Sequence, residues 1–281
     1  MTDHAENLFL DLIERNEKIV FSAQQSNISA PDSPTIGSGA KLIGKLRYWW
    51  CWLVVTVLLL FIATPLLIFT ALLNRRYWVY PWAIWGAGFW LKACGTKLVV
   101  KGLENLDPER SYVFISNHRS YLDTATLFIC TGRRMGLVAK KELLKVPVLG
   151  PGMAFVNVLA IDRSNPQRAI ETIDKARDVL AKGFSFGIFA EGTRAMPGEL
   201  LPFKKGAFHL AIQTEAPIVP VAIKNTDRLM GKKTGLMFPG TIEVVLFPAI
   251  ETKNLSTKTE LKPLMDKVRG VIAEELAKTE G

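Results

Sequence analysis

The sequence predicts an α/β domain, a mixed sheet of about seven strands flanked by helices, preceded by an N-terminal membrane-embedded helical hairpin. Two observations carry that expectation. From Trp49 to Leu73 the chain reads WWCWLVVTVLLLFIATPLLIFTALL without a charge, and about 20 such residues suffice to cross a bilayer as a helix. Beyond Lys97 the pattern changes to short apolar runs, KLVV, SYVFIS, MGLVA, NVLAI, FGIFA, PIVPVAI and TIEVVLFPAI, separated by helical or Gly/Pro-containing segments. Strands alternating with helices specify an α/β architecture.

Residues 1–40 form a polar extension. Leu8, Leu12, Ile13 and Ile19 recur with helical spacing in a short amphipathic stretch, and the Ser-, Pro-, Gly- and Asn-rich run from Ser22 to Ala40 reads as a flexible linker. No basic start followed by an apolar run opens this segment, so no cleavable secretion signal is expected and the domain beyond the membrane segment is expected to stay in the cytoplasm.

Residues 41–96 form the membrane-associated pair of helices. Lys41, Lys45 and Arg47 precede the apolar run and Arg75 and Arg76 follow it, while Tyr48, Trp49, Trp50, Trp52, Tyr77 and Trp78 make interfacial aromatic clusters. The next stretch, Tyr80 to Cys94, is short for a full span and suits a half-inserted helix that returns the chain to the same face.

Residues 97–281 form the third part. Helices are expected near Tyr121 to Cys130, from Asn165 to Lys182, from Lys205 to Thr214 and from Glu260 to Lys278. Asn165 is a good cap, Pro166 suits a first helical position and Gly183 an end. Cys51, Cys94 and Cys130 are widely spaced among apolar neighbours, which fits reduced packing residues rather than a disulfide framework or a metal site. The net charge of +9 points to an anionic partner, and with about −4 on residues 1–40 the basic character belongs to the rest of the chain. Nucleic acid would explain the charge but not the apolar span, and no nucleic-acid-binding motif is present.

The chemistry-bearing residues gather after strands, where α/β folds place their sites. SYVFIS is followed at once by NHRSYLD. Within a regular helix five residues turn about 500°, which would separate His118 from Asp123. With His118 in the loop, Asp123 in the first helical turn folds back beneath the imidazole, fixes its tautomer and leaves the other ring nitrogen to take a proton from a hydroxyl. A lone histidine in such a loop makes a structural hydrogen bond about as often. Ser116 and Ser120 lie nearby, but neither has the setting of a nucleophile elbow, which favours direct transfer over a covalent intermediate. A second strand ends in FAEGTRAMPG, where Arg194 would grip a phosphate bidentately and Gly192 would let the backbone approach it. Lys140, Lys141 and Lys145 follow a third strand, and Asp162 and Arg163 a fourth. Taken singly, the lysines read equally as a solvated face and Asp162 with Arg163 as a surface ion pair.

Taken together and in order, NHRSYLD, the KKEL cluster, IDR, EGTR and VPV resemble the 1-acyl-glycerol-3-phosphate acyltransferase family, part of the wider glycerolipid acyltransferase superfamily. The resemblance covers roughly Lys97 to Ile250. It implies transfer of a fatty acyl group from an acyl thioester to the sn-2 hydroxyl of lysophosphatidic acid, giving phosphatidic acid, with His118 as general base and Asp123 as its orienting partner. Glu191, Gly192, Thr193 and Arg194 resemble the acceptor-phosphate site, Lys140 a second phosphate contact, and Arg163 matches the IDR block. Pro217, Val219 and Pro220 resemble the family's last block. The implied co-substrate is an acyl-CoA or acyl-carrier-protein thioester, with no bound cofactor or metal. The implied location is a membrane, the inner membrane of a bacterium, with the catalytic domain on its cytoplasmic side. Two other readings are another lysophospholipid or lyso-aminolipid acceptor, and a non-catalytic membrane lipid-binding protein. This chain departs from the family in Ala190, where a proline is common before EGTR, and in Asn157, where a glycine is usual.

Overall fold

The computed structural model describes residues 37–132, 134–140, 149–161 and 166–278. The predicted helix at 5–20 and linker at 22–40 fall almost wholly outside them. The apolar run forms one helical rod from Ser38 to Leu72. It comprises α1 (Ser38–Val57), a π-helical turn (Leu58–Ala63) and α2 (Thr64–Leu72). The rod starts at Ser38 rather than at Trp49, because Lys and Arg are good helix formers. The loss of charge marks an apolar boundary, not a helix end.

The π turn has a local cause. Pro65 follows it, and its ring and missing N–H are incompatible with the regular ladder. The Thr64 hydroxyl compensates by donating to the Leu59 carbonyl at 2.8 Å. At ~1.5 Å per residue the rod runs about 52 Å, long enough to cross a hydrocarbon core of about 30 Å. Only 11% of its most apolar window is buried within the protein. Leu46, Trp49, Leu53, Phe61 and Ile68 lie exposed along it, an apolar surface of the kind that suits a membrane or an apolar partner.

After Leu72 the chain reverses through Asn74, whose φ of 52° is tolerated by Asn at a helix end, and α3 (Val79–Ala93) returns along the rod. The Trp90 indole donates to the Cys51 carbonyl at 2.8 Å and the Trp50 indole to the Ala93 carbonyl at 3.1 Å. The expected hairpin is therefore present. Its returning helix also buries Tyr80, Ile84, Trp90 and Leu91 in the same apolar cluster as the sheet.

The strands are β1 (Thr96–Lys101), β2 (Val113–Ser116), β3 (Met135–Lys140), β4 (Leu159–Ile161), β5 (Ser185–Phe189), β6 (Ile218–Lys224) and β7 (Gly240–Leu246). They are ordered β1-β7-β6-β2-β5-β3-β4. Six form the main sheet, and the short β4 pairs with the outer half of β3. All neighbours are parallel except β6 and β7, so the sheet is mixed as expected. The other helices are α4 (Leu122–Ile129), α5 (Leu149–Phe155), α6 (Pro166–Leu180), α7 (Gly206–Thr214), α8 (Thr226–Met230) and α9 (Leu261–Ala277).

Strand alternation divides the core into two layers. Val113, Ile115, Ile218 and Ala222 face α6, α7 and α9, whereas Phe114, Val219, Val221 and Ile223 face α1, α3 and α4. β6 is buried along its whole length, as a central strand covered on both faces must be. The parallel run of β6, β2, β5, β3 and β4 brings their carboxyl ends to one edge, where the NHRSYLD and EGTR loops meet.

Asn157 is explained by backbone geometry. It follows α5 with φ 53°, a left-handed position that Gly or Asn fills most readily. Its side chain does not enter a groove at the site but donates to the Tyr80 hydroxyl at 3.1 Å, 8% exposed. Ala190 extends the β2–β5 pairing, its N–H reaching the Ser116 carbonyl at 3.2 Å, a bond that proline could not make.

Candidate active site

The site begins with the end of β2. Asn117 is fully buried and joins β6 through both ends of its amide, accepting from the Ile223 N–H at 2.8 Å and donating to the Ile223 carbonyl at 2.9 Å. The chain leaves the sheet there in a fixed direction, and His118 lies in the loop rather than in α4. Asp123, in the first turn of α4, reaches back so that its Oδ2 lies 2.9 Å from His118 Nδ1. The same oxygen accepts the backbone N–H groups of Arg119 at 2.6 Å and Ser120 at 2.7 Å. Ser120 Oγ in turn accepts the Leu122 N–H, so Ser-x-x-Asp works as a capping box that also seats the histidine. The His118 ring stacks on Phe189 at the end of β5, centroids 4.0 Å apart.

This arrangement can move a proton. Asp123 is completely buried while the His118 side chain keeps 16% exposure. Among the described residues none hydrogen-bonds to His118 Nε2. The neighbouring serines are engaged elsewhere, Ser116 donating to the Asn117 carbonyl and Ser120 to the Met230 carbonyl.

The EGTR loop is tied to the histidine loop. The Ala195 N–H donates to the His118 carbonyl at 2.8 Å. Glu191, expected among the substrate contacts, is turned inward at 1% exposure. Its two oxygens accept the backbone N–H groups of His118 at 2.6 Å and Leu201 at 2.8 Å. Burial raises its carboxyl pKa from the ordinary value, against the lowering effect of those N–H donors. A buried carboxylate serving two backbone donors is scaffold, and its charge would repel a phosphate.

Gly192 sits within the turn itself. Its N–H bonds the Phe189 carbonyl at 3.0 Å and is therefore spent within the turn. Glycine is favoured by φ 69°, and the flexible end of Lys204 lies 3.0–3.2 Å from where a Cβ would stand. Thr193 is exposed. Arg194 places its guanidinium carbon 3.6 Å from the centroid of the Tyr121 ring, and its carbonyl accepts from the Lys232 ammonium.

Sequence reasoning missed the group that locks these loops together. Arg119 donates from Nε to the Glu199 carbonyl at 2.7 Å and from Nη2 to the Gly198 carbonyl at 3.1 Å, and pairs through Nη1 with Asp227 at 3.2 Å. Asp227 also accepts the Gly198 N–H. No local signal pointed to Asp227, which is 108 residues away from Arg119. The backbone of Lys140 ends β3 at the same sheet edge. Its side chain, Lys141, Lys145, Asp162 and Arg163 lie outside the described residues. Among the described residues no three His, Cys, Asp or Glu side chains converge as a metal site.

Comparison with known proteins converges on the same segment. Residues 97–224 match the family model described as Acyltransferase. The chain is 40% identical over 185 residues to the 1-acyl-sn-glycerol-3-phosphate acyltransferase of Saccharomyces cerevisiae, covering 65% of this chain and 60% of that protein. It is 34% identical over 176 residues to the human 1-acyl-sn-glycerol-3-phosphate acyltransferase alpha, covering 62% of each. It thus spans about 60% of the length of these relatives. The crystal structure of the 1-acyl-sn-glycerophosphate (LPA) acyltransferase PlsC from Thermotoga maritima shares the fold, with TM-score 0.71 and 24% identity over 86% of this chain and 98% of that one. Both EGTR and the paired histidine and aspartate lie inside the segment that resembles the family described as Acyltransferase and the relatives named 1-acyl-sn-glycerol-3-phosphate acyltransferases.

Proposed function

We propose that this protein transfers a fatty acyl group from an acyl thioester, acyl-CoA or acyl-carrier protein, to the sn-2 hydroxyl of 1-acyl-glycerol-3-phosphate, giving phosphatidic acid. The observation that carries this reading is the His118–Asp123 contact of 2.9 Å beside a loop that presents Arg194. His118 Nε2 takes the proton of the acceptor hydroxyl as its oxygen attacks the thioester carbonyl. Asp123 holds Nδ1–H and stabilises the imidazolium that forms. The tetrahedral intermediate collapses with cleavage of the C–S bond, and the thiolate leaves with the proton from His118. The engaged hydroxyls of Ser116 and Ser120 support direct transfer without an acyl-enzyme.

Arg194 takes the acceptor phosphate, with Thr193 at its side and Lys140 and Arg163 as further phosphate contacts. Asp123, Glu191, Arg119 and Asp227 hold the two loops in place. The division into a polar extension (1–40), a membrane segment (41–96) and a catalytic domain (97–281) follows from this reading, with the domain on the cytoplasmic side of a bacterial inner membrane. Acceptor and product are amphiphiles that reside in lipid, so the exposed apolar face of the rod and α3 brings the site to them. The test is acyl transfer by the detergent-solubilised protein with lysophosphatidic acid and a labelled long-chain acyl-CoA. Phosphatidic acid from the wild type and none from a folded His118→Ala supports the reading. Failure with lysophosphatidic acid and both donor classes refutes it.

A further inference from the structure

Beyond residue 96 two exposed large apolar side chains lie among the described residues, and both flank Arg194: Tyr121 at 40% and Met196 at 37% exposure. Tyr121 closes the histidine loop and Met196 follows EGTR. The apolar surface that meets lipid therefore continues to the rim of the site. Two ring contacts connect them. Arg194 lies over the Tyr121 ring, its guanidinium carbon 3.6 Å from the centroid. Tyr121 meets Trp52 of α1 edge to face, with centroids 5.1 Å apart and planes at 82°. Trp52 is backed by Tyr48 one turn earlier, at 6.2 Å and 69°.

Arg194 makes no side-chain hydrogen bond or ion pair with another described residue. A guanidinium held by an aromatic ring is oriented without spending its donors on a protein acceptor, and so stays able to meet a phosphate in bidentate fashion. The guanidinium would otherwise sample many rotamers, since nothing else among the described residues holds its head. We propose that Tyr121 is a positioning residue, a ring platform braced from the membrane helix by Trp52, that holds Arg194 ready for the phosphate monoester of a lipid-embedded acceptor.

This proposal rests on the reading of Arg194 as the acceptor-phosphate group, and the experiment separates the two. Binding of the full-length, detergent-solubilised protein to lysophosphatidic acid is measured by titration calorimetry, with lysophosphatidylcholine, which lacks the monoester, as control. The variants are Arg194→Ala, Tyr121→Phe, Tyr121→Ala, Trp52→Leu and the double variant Tyr121→Ala/Arg194→Ala. Tyr121→Phe keeps the ring and is expected to bind within about twofold of the wild type. Tyr121→Ala is expected to weaken binding about fivefold and Trp52→Leu about twofold, the scale of a partly exposed cation–ring contact. The signature is coupling: once Arg194 is alanine, removing Tyr121 should cost nothing more. If Tyr121→Ala weakens binding equally in both backgrounds, or has no effect while Arg194→Ala does, the platform is refuted and the Arg194 reading stands. If the wild type does not prefer lysophosphatidic acid, or Arg194→Ala leaves binding unchanged, the phosphate reading falls and the platform with it.

Discussion

Replacing Asp123 with Asn separates two services that a carboxylate can render to a histidine. Asp123 Oδ2 accepts three donors: the N–H groups of Arg119 and Ser120, and His118 Nδ1. Its other oxygen is buried with no partner among the described residues. An asparagine amide has one acceptor, and two backbone N–H groups in the way of an NH2 leave it one orientation. The carbonyl must take the Oδ2 position and the NH2 the Oδ1 position. The tautomer of His118 is then preserved and only the negative charge is lost. That charge faces the imidazolium across 2.9 Å. At a charge separation of ~4 Å and an effective dielectric near 20, the attraction is about 4 kcal/mol. The amide dipole replaces part of it, leaving a loss of roughly 2–4 kcal/mol in the transition state, or about 30- to 1,000-fold in rate. An inverted tautomer would cost about 10⁴-fold. The stranded NH2 costs roughly 1–3 kcal/mol of stability, a drop of several degrees in Tm. The assay is kcat at saturating donor and acceptor for the wild type, Asp123→Asn and His118→Ala. A loss below about fivefold would refute charge stabilisation by Asp123. A loss equal to that of His118→Ala would refute the orientation argument.

Other expectations concern backbone and burial. Asn157→Ala should destabilise the protein by roughly 2 kcal/mol, through a left-handed φ and the lost bond to Tyr80, while Asn157→Gly should lose under about half of that. Chemical denaturation in detergent distinguishes the two, and equal losses would place the whole cost in the hydrogen bond. Gly192→Ala should lower kcat/KM at least about tenfold, chiefly by straining the left-handed turn that carries Arg194. Adding Lys204→Ala should recover only part of this, because the backbone strain remains, and full recovery would show that the side-chain clash alone matters. Burial pushes the Cys130 thiol pKa up to about 12, so N-ethylmaleimide at pH 8 should leave it unmodified until the protein unfolds. The raised value also fixes the linkage: the stability tied to the neutral thiol is complete below its unfolded pKa of about 8.5 and is lost as pH rises toward 12. Rapid labelling of the native protein at Cys130 would contradict its burial.

Much of this molecule is legible in one dimension because the relevant signals are local. Seven apolar runs became strands, six in the main sheet and β4 beside β3, since short apolar runs bounded by Gly, Pro and polar segments read as buried strands. The His118–Asp123 contact was legible because five residues are too many for one face of a helix and few enough for a loop folding back on its first turn. Other features depend on partners far apart in the chain. Glu191 looks from its motif like a ligand contact, yet it turns inward because the N–H groups of His118 and Leu201 converge on it, the first of them 73 residues away. The Arg119–Asp227 pair and the Trp52–Tyr121–Arg194 stack are likewise assembled by strand order and by the docking of α1. Sequence alone determined the apolar rod, the alternation of strands and helices, and the two loops that carry the chemistry, because hydrophobic period and short-range geometry are properties of neighbouring residues. Only the tertiary structure decided which side chains of those loops face a ligand and which face inward, because that depends on which distant donors and rings the sheet brings within hydrogen-bonding and stacking distance.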